Sequence, residues 1–94
     1  MKGVRRFKDR LKEDLKDPEF RKAFDEEEIY ASLAIQIARI RQKKKLTQQE
    51  LAKRLHTTQQ TISRLENIYN KSYSLRTLIE LARVLDKRLK VELV

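Results

Sequence analysis

The chain has 94 residues and a formal net charge of +9, with no cysteine, one glycine and one proline. That length allows one domain with a small core, the missing thiols exclude disulfides and thiolate metal sites, and the scarcity of helix breakers predicts a mostly helical structure. No apolar run approaches the roughly 20 residues of a membrane-crossing helix, and a start charged from Lys2 onward has no apolar signal core, so a cytoplasmic protein is expected.

The charge is unevenly placed. Residues 1–28 hold nine Lys/Arg and nine Asp/Glu, whereas residues 29–94 hold fourteen and five, so the whole excess lies in the second part. A concentrated positive excess is the electrostatic footprint of a phosphate binder. The bland alternative is the lysine-rich surface of a heat-adapted protein.

Val4, Phe7, Leu11 and Leu15 recur at helical spacing with charges between them, which predicts an amphipathic helix over about Val4–Lys16. Asp17 and Pro18 then restart the chain as N-cap and first helical residue. Phe20 and Phe24, four apart, can form one apolar ridge. Asp25-Glu26-Glu27-Glu28 reads as the acidic start of a longer helix, suited to its dipole, or as a contact surface for a basic protein. From Ile29 to about Lys44 the pattern is helical, with Leu33, Ala34, Ile37, Ile40 and Arg41 on one side and Lys43–Lys45 at the cationic end.

The stretch Leu46–Glu66 predicts two short helices joined by a tight turn. Thr47 with Glu50 has capping-box spacing, Leu51, Ala52 and Leu55 face inward, and His56-Thr57-Thr58 breaks the pattern. Thr58 can cap the second helix, in which Ile62, Leu65 and Glu66 continue the inward face. Gln59, Gln60, Ser63 and Arg64 then point outward. Glutamine can bond adenine through two hydrogen bonds and arginine can do the same with guanine, so Gln59, Gln60 and Arg64 are candidate base readers flanked by Thr58 and Ser63. Gln48 is a candidate phosphate contact at the first turn of the preceding helix, and Lys71, Ser72, Tyr73, Ser74 and Arg76 a second phosphate clamp. The other reading of these residues is an ordinary polar helix surface. Arg41 and Glu66 both fall on apolar faces, where an unpaired charge is expensive, and are expected to pair with each other.

Asn67 to Ser74 reads as a loop, with Asn70 a left-handed turn residue, and Ser74 caps a helix over Leu75–Leu85 whose inward residues are Leu75, Leu78, Leu81, Ala82 and Leu85. After a turn at Asp86-Lys87-Arg88, Leu89, Val91 and Leu93 alternate with polar neighbours, which predicts a short strand. An unpaired strand edge seeks a partner, so the same strand of a second copy would make a dimer; the alternative is a tail without function. Enzymatic chemistry has little support: one histidine, in the turn, no cysteine nucleophile and no glycine-rich phosphate loop. No cofactor or metal is expected.

L-T-Q-Q-E-L-A-K-R-L-H-T-T-Q-Q-T-I-S-R-L-E resembles the helix-turn-helix of the phage repressor/Cro (XRE) family, and T-T-Q-Q is similar to lambdoid repressors that read operators through paired glutamines. The resemblance implies DNA contacts at Gln48, Gln59, Gln60 and Arg64, an internal salt bridge between Arg41 and Glu66, and a bundle of about five helices over Ile29–Asp86. It departs at His56, where the family usually has glycine; with positive φ a histidine there costs about 1 kcal/mol. D-P-E-F-R near the start and S-L-R-T-L-I-E-L-A-R-V-L-D-K-R-L-K-V-E-L-V at the end resemble HigA-type antitoxins. That resemblance implies a homodimer that represses its own operon on a palindromic double-stranded operator and binds a RelE/HigB-like mRNA-cleaving toxin.

The expected fold is therefore all-α: a compact five-helix lambda-repressor-like domain over residues 29–94, an amphipathic helical extension over 1–28, and a short C-terminal strand. The extension, neutral overall, is expected to contact the toxin. A stand-alone phage-type repressor, or a protein-interaction adaptor, is the alternative.

Overall fold

The computed structural model describes residues 12–94. Most of the helix expected over Val4–Lys16, with Val4, Phe7 and Leu11, lies outside the described residues; residues 12–14 are helical. Four helices follow: α1 (Pro18–Lys43), α2 (Gln48–Arg54), α3 (Gln59–Leu65) and α4 (Leu75–Val84). With residues 12–14 there are five helical segments: α2, α3 and α4 lie within Ile29–Asp86, α1 enters that span from Pro18, and residues 12–14 lie ahead of it.

Asp17 starts α1, its carboxylate accepting from the Glu19 N–H at 3.0 Å, with Pro18 behind it at a position where its missing N–H does no harm. The helix then runs unbroken for 26 residues, so the acidic Asp25–Glu28 lies inside it rather than at the head of a separate helix. No boundary in the backbone separates residue 28 from residue 29. What changes there is burial: residues 18–29 are exposed apart from Phe24, whereas Ala34 and Ile37 are buried. Phe20 and Phe24 stack with centroids 6.4 Å apart.

The core is small and made from every helix. Ile37 of α1, Leu51 and Ala52 of α2, Ile62 and Leu65 of α3, and Leu81 of α4 with Leu85 behind it form one apolar cluster. Leu46 joins it from the α1–α2 connection. Leu75, expected to face inward, is 62% exposed, because it stands at the first position of α4, on the rim.

Three of the four helices end in the same way, and none of them uses glycine. Lys45 (φ 57°), His56 (φ 57°) and Asp86 (φ 56°) are left-handed. Each begins a pair of reverse hydrogen bonds: Lys45 N–H to Gln42 O and Leu46 N–H to Arg41 O, His56 N–H to Lys53 O and Thr57 N–H to Ala52 O, Asp86 N–H to Arg83 O and Lys87 N–H to Ala82 O, at 2.7–3.2 Å. These are Schellman caps, which satisfy the last carbonyls of a helix. At the α1 end the cap also turns Leu46 into the core. Asn70, expected to be left-handed, is not; it shapes its loop with its side chain, accepting from Ser72 N–H and donating to Ser72 O.

The expected C-terminal strand is absent among the described residues. Residues 87–94 form no helix or ladder, and Val91 and Leu93 are largely exposed. Alternating side chains shape a strand's faces, but its backbone N–H and C=O groups need a neighbouring strand, and no other described segment of the chain is extended beside it.

Candidate nucleic-acid interface

The turn between α2 and α3 sets the site. Thr47 Oγ1 accepts from Glu50 N–H and the Glu50 carboxylate accepts from Thr47 N–H, both at 3.0 Å, so α2 begins in a complete capping box. Hydrogen bonding to Thr47, first through its backbone N–H and then through its side chain, holds the Glu50 carboxyl below its ordinary range. His56 ends α2, and Thr58 begins α3 by accepting from Thr61 N–H at 3.2 Å. Ile62 and Leu65 are buried, and α3 packs directly on α2.

With that face fixed inward, the rest of α3 is set outward. Gln59, Gln60, Ser63 and Arg64 are all exposed, and among the described residues no side-chain hydrogen bond or ion pair occupies them. Thr58, Gln60, Thr61, Ser63, Arg64 and Asn67 line one shallow, open, polar recess. Gln59 lies beside it on the same exposed surface. Asn67 escaped the sequence reading, which placed it in the loop. Spacing from Gln60 and Arg64 at i+7 and i+3 would have found it. Its Oδ1 accepts from Tyr69 N–H at 2.9 Å, which leaves its amide N–H groups for the recess.

The C-terminal end of α3 is anchored from two directions. Arg41 and Glu66 form the expected pair: Nε donates to Oε2 at 2.6 Å and Nη2 to Oε1 at 3.0 Å, with side-chain exposures of 12% and 7%. The hydrogen bond to Glu66 is the main cause that raises the Arg41 pKa above its ordinary value. Arg41 Nη1 also donates to Leu46 O at 2.7 Å, tying in the α1–α2 connection. The second anchor is Tyr73, whose hydroxyl donates to Leu65 O at 2.7 Å.

The remaining candidates divide. The Gln48 amide donates to Glu66 Oε1 at 3.2 Å, so its side-chain donor faces the ion pair and its backbone N–H, unpaired in the first turn, is the donor left for a phosphate. Ser74 caps α4 through Thr77 N–H and donates to Thr77 Oγ1. Tyr73 is half-buried against the core, with its hydroxyl turned inward. Lys71, Ser72 and Arg76 are exposed, and Lys71 faces Glu27 across 3.7 Å. Gln59, Gln60, Ser63 and Arg64 therefore share one surface, while Tyr73 and the side chain of Gln48 point into its supports.

Among the described residues, no cluster of histidine and acidic side chains could hold a metal, and no helix is long and apolar enough to cross a membrane. No curated protein and no solved structure gives a significant match to the chain. A helix-turn-helix family model, HTH_3, matches residues 37–91, more than half of the chain, from the inward half of α1 through the C-terminal segment. The match spans both anchors and the whole polar recess, and it marks a sequence-specific DNA-binding transcription regulator. The chain belongs to the XRE-type helix-turn-helix family.

Proposed function

We propose that this regulator is the antitoxin of a type II toxin–antitoxin pair. As a homodimer it represses its own operon on a palindromic operator, and it neutralises a RelE/HigB-like mRNA-cleaving toxin. It acts by binding, without catalysis or cofactor. Gln59, Gln60 and Arg64 read base edges, with Thr58 and Ser63 beside them. Gln48 through its backbone, and Lys71, Ser72, Ser74 and Arg76, set register on the phosphates. In a dimer the two copies of α3 enter successive major grooves about 34 Å apart.

The observation that carries the antitoxin reading is the outer half of α1. Residues 18–29 stay exposed through three turns of helix apart from the half-buried Phe24, which stacks on Phe20 beside Glu19 and Asp25–Glu28. This surface has little use in DNA binding, because its acidic charge repels phosphate. An apolar ridge edged with carboxylates suits a basic protein, and a nuclease that grips RNA is basic. The test is co-purification of the full chain with the product of the neighbouring reading frame. Phe20→Ala with Phe24→Ala should lose the toxin and keep the DNA, since both rings lie outside the core. Full retention of toxin by this variant, with the wild type retaining it equally, would sink the assignment of the surface.

A further inference from the structure

We infer that Tyr73 is a positioning residue for base reading: its hydroxyl fixes the C-terminal end of α3, and with it the approach of Arg64. The inference rests on the reading of α3 as the element that meets the bases. The last turn of α3 has carbonyls with no partner inside the helix. Leu65 is the last residue of that helix, and the Tyr73 hydroxyl donates to its carbonyl at 2.7 Å from a half-buried position. Arg64 is the residue before it. A base contact made by a long guanidinium side chain depends on where its Cα stands, and the ring of Tyr73 holds that end of the helix against the core.

Tyr73 is in turn held from α1. The Tyr30 ring stacks on it, with centroids 6.2 Å apart and planes inclined by 14°. Such offset stacking restrains both rings beyond simple burial. Gln59 and Gln60, at the other end of α3, are placed instead by the Thr58 cap and the packing of α2. The two ends of the reading surface thus have separate supports, so loosening one should blur the bases it serves and spare the others.

The experiment uses the full chain and a random-sequence duplex pool. The wild type, Tyr73→Phe and Arg64→Ala are each carried through rounds of selection, and the enriched sequences are compared. Tyr73→Phe keeps the ring, its packing and the stack on Tyr30, and removes only the donor. It should lose preference at the same base positions as Arg64→Ala, by roughly three- to tenfold, the scale of one neutral hydrogen bond. Preference at the positions lost in Gln59→Ala should persist. Tyr30→Leu, which removes the stack, should reproduce the pattern more weakly. A Tyr73→Phe motif identical to the wild type would overturn the inference, and so would a uniform loss across the motif accompanied by a fall in melting temperature. Failure of the wild type to enrich any sequence would instead refute the base-reading role of α3.

Discussion

Arg41 and Glu66 offer the sharpest energetic test, because their pairing lies between two regimes that differ several-fold. An exposed ion pair contributes about 0–1 kcal/mol. Removing one partner of a buried pair costs about 3–5 kcal/mol, because the other charge is left without compensation. Side-chain exposures of 12% and 7%, with two hydrogen bonds at 2.6 and 3.0 Å, place this pair near the buried limit. Arg41→Met also removes the bond to Leu46 O. Gln48 continues to donate to Glu66 and softens the loss. The expected destabilisation is about 3 kcal/mol, a large share of the roughly 5–15 kcal/mol that holds a domain together. Glu66→Met should cost less, about 2 kcal/mol, because a stranded arginine can reach water with its long stem. The double variant, apolar on both sides, should be more stable than the sum of the singles predicts by about 2 kcal/mol. Urea unfolding of the four proteins, followed by far-ultraviolet circular dichroism, closes the cycle. A coupling energy below about 0.5 kcal/mol would show that the pair behaves as a surface contact and that the anchoring argument for α3 is wrong.

His56→Gly should stabilise the fold by about 1 kcal/mol in thermal unfolding, because His56 has φ 57° and glycine enters that region without a Cβ clash; Asp86→Gly should gain less, since it gives up the contact with Lys44 at 3.1 Å. Thr47→Ala should cost about 1 kcal/mol by removing the cap of α2. The Glu50 carboxyl is held low by its bonds to Thr47, so its contribution is present above the ordinary carboxylate range and is lost as pH falls through the depressed value; Glu50→Gln should flatten that acid limb in pH-dependent unfolding. Gln59→Ala with Gln60→Ala should weaken binding to a selected duplex by about 1–3 kcal/mol per lost base contact and leave nonspecific binding almost unchanged in a gel shift; equal loss on both duplexes would mean these amides do not read sequence.

What the sequence made legible was local or strongly periodic. Thr47 with Glu50, Thr58 and Ser74 announced three helix starts, because capping needs only residues a few positions apart. The Arg41–Glu66 pair was legible across 25 positions for a different reason: two charges on apolar faces had nowhere else to go. The outward set of α3 followed once Ile62 and Leu65 were assigned inward. The misses have separate causes. Alternation over Leu89–Val94 gave no ladder, because nothing described pairs with it. Leu46 reached the core only through the reverse turn of the α1 cap, and that turn is left-handed at a lysine, a residue with no special signature for it. The recess contact Asn67 lies one residue beyond the cap of α3, so a boundary placed at Glu66 hid it.

The continuity of α1 has the largest functional consequence. A break at the acidic cluster would have allowed the N-terminal segment to move as a separate arm. Instead, one helix carries Phe20 and Phe24 on an exposed surface, Tyr30 against Tyr73, and Arg41 against Glu66. Both anchors of α3 are therefore backed by the helix that bears the proposed toxin surface. Glu27, next to that surface, also faces Lys71 of the loop after α3. A protein bound to the acidic half would compete for that carboxylate and release a cation toward the phosphates. A ligand shifts an equilibrium only by the difference in its contacts between two states, and an exposed pair at 3.7 Å supplies little. The larger lever is rigid: a partner that tilts the outer half of α1 shifts Tyr30, and Tyr30 touches the residue that holds the last carbonyl of α3. Occupancy of this proposed partner surface should then alter operator preference more than it alters general affinity for DNA.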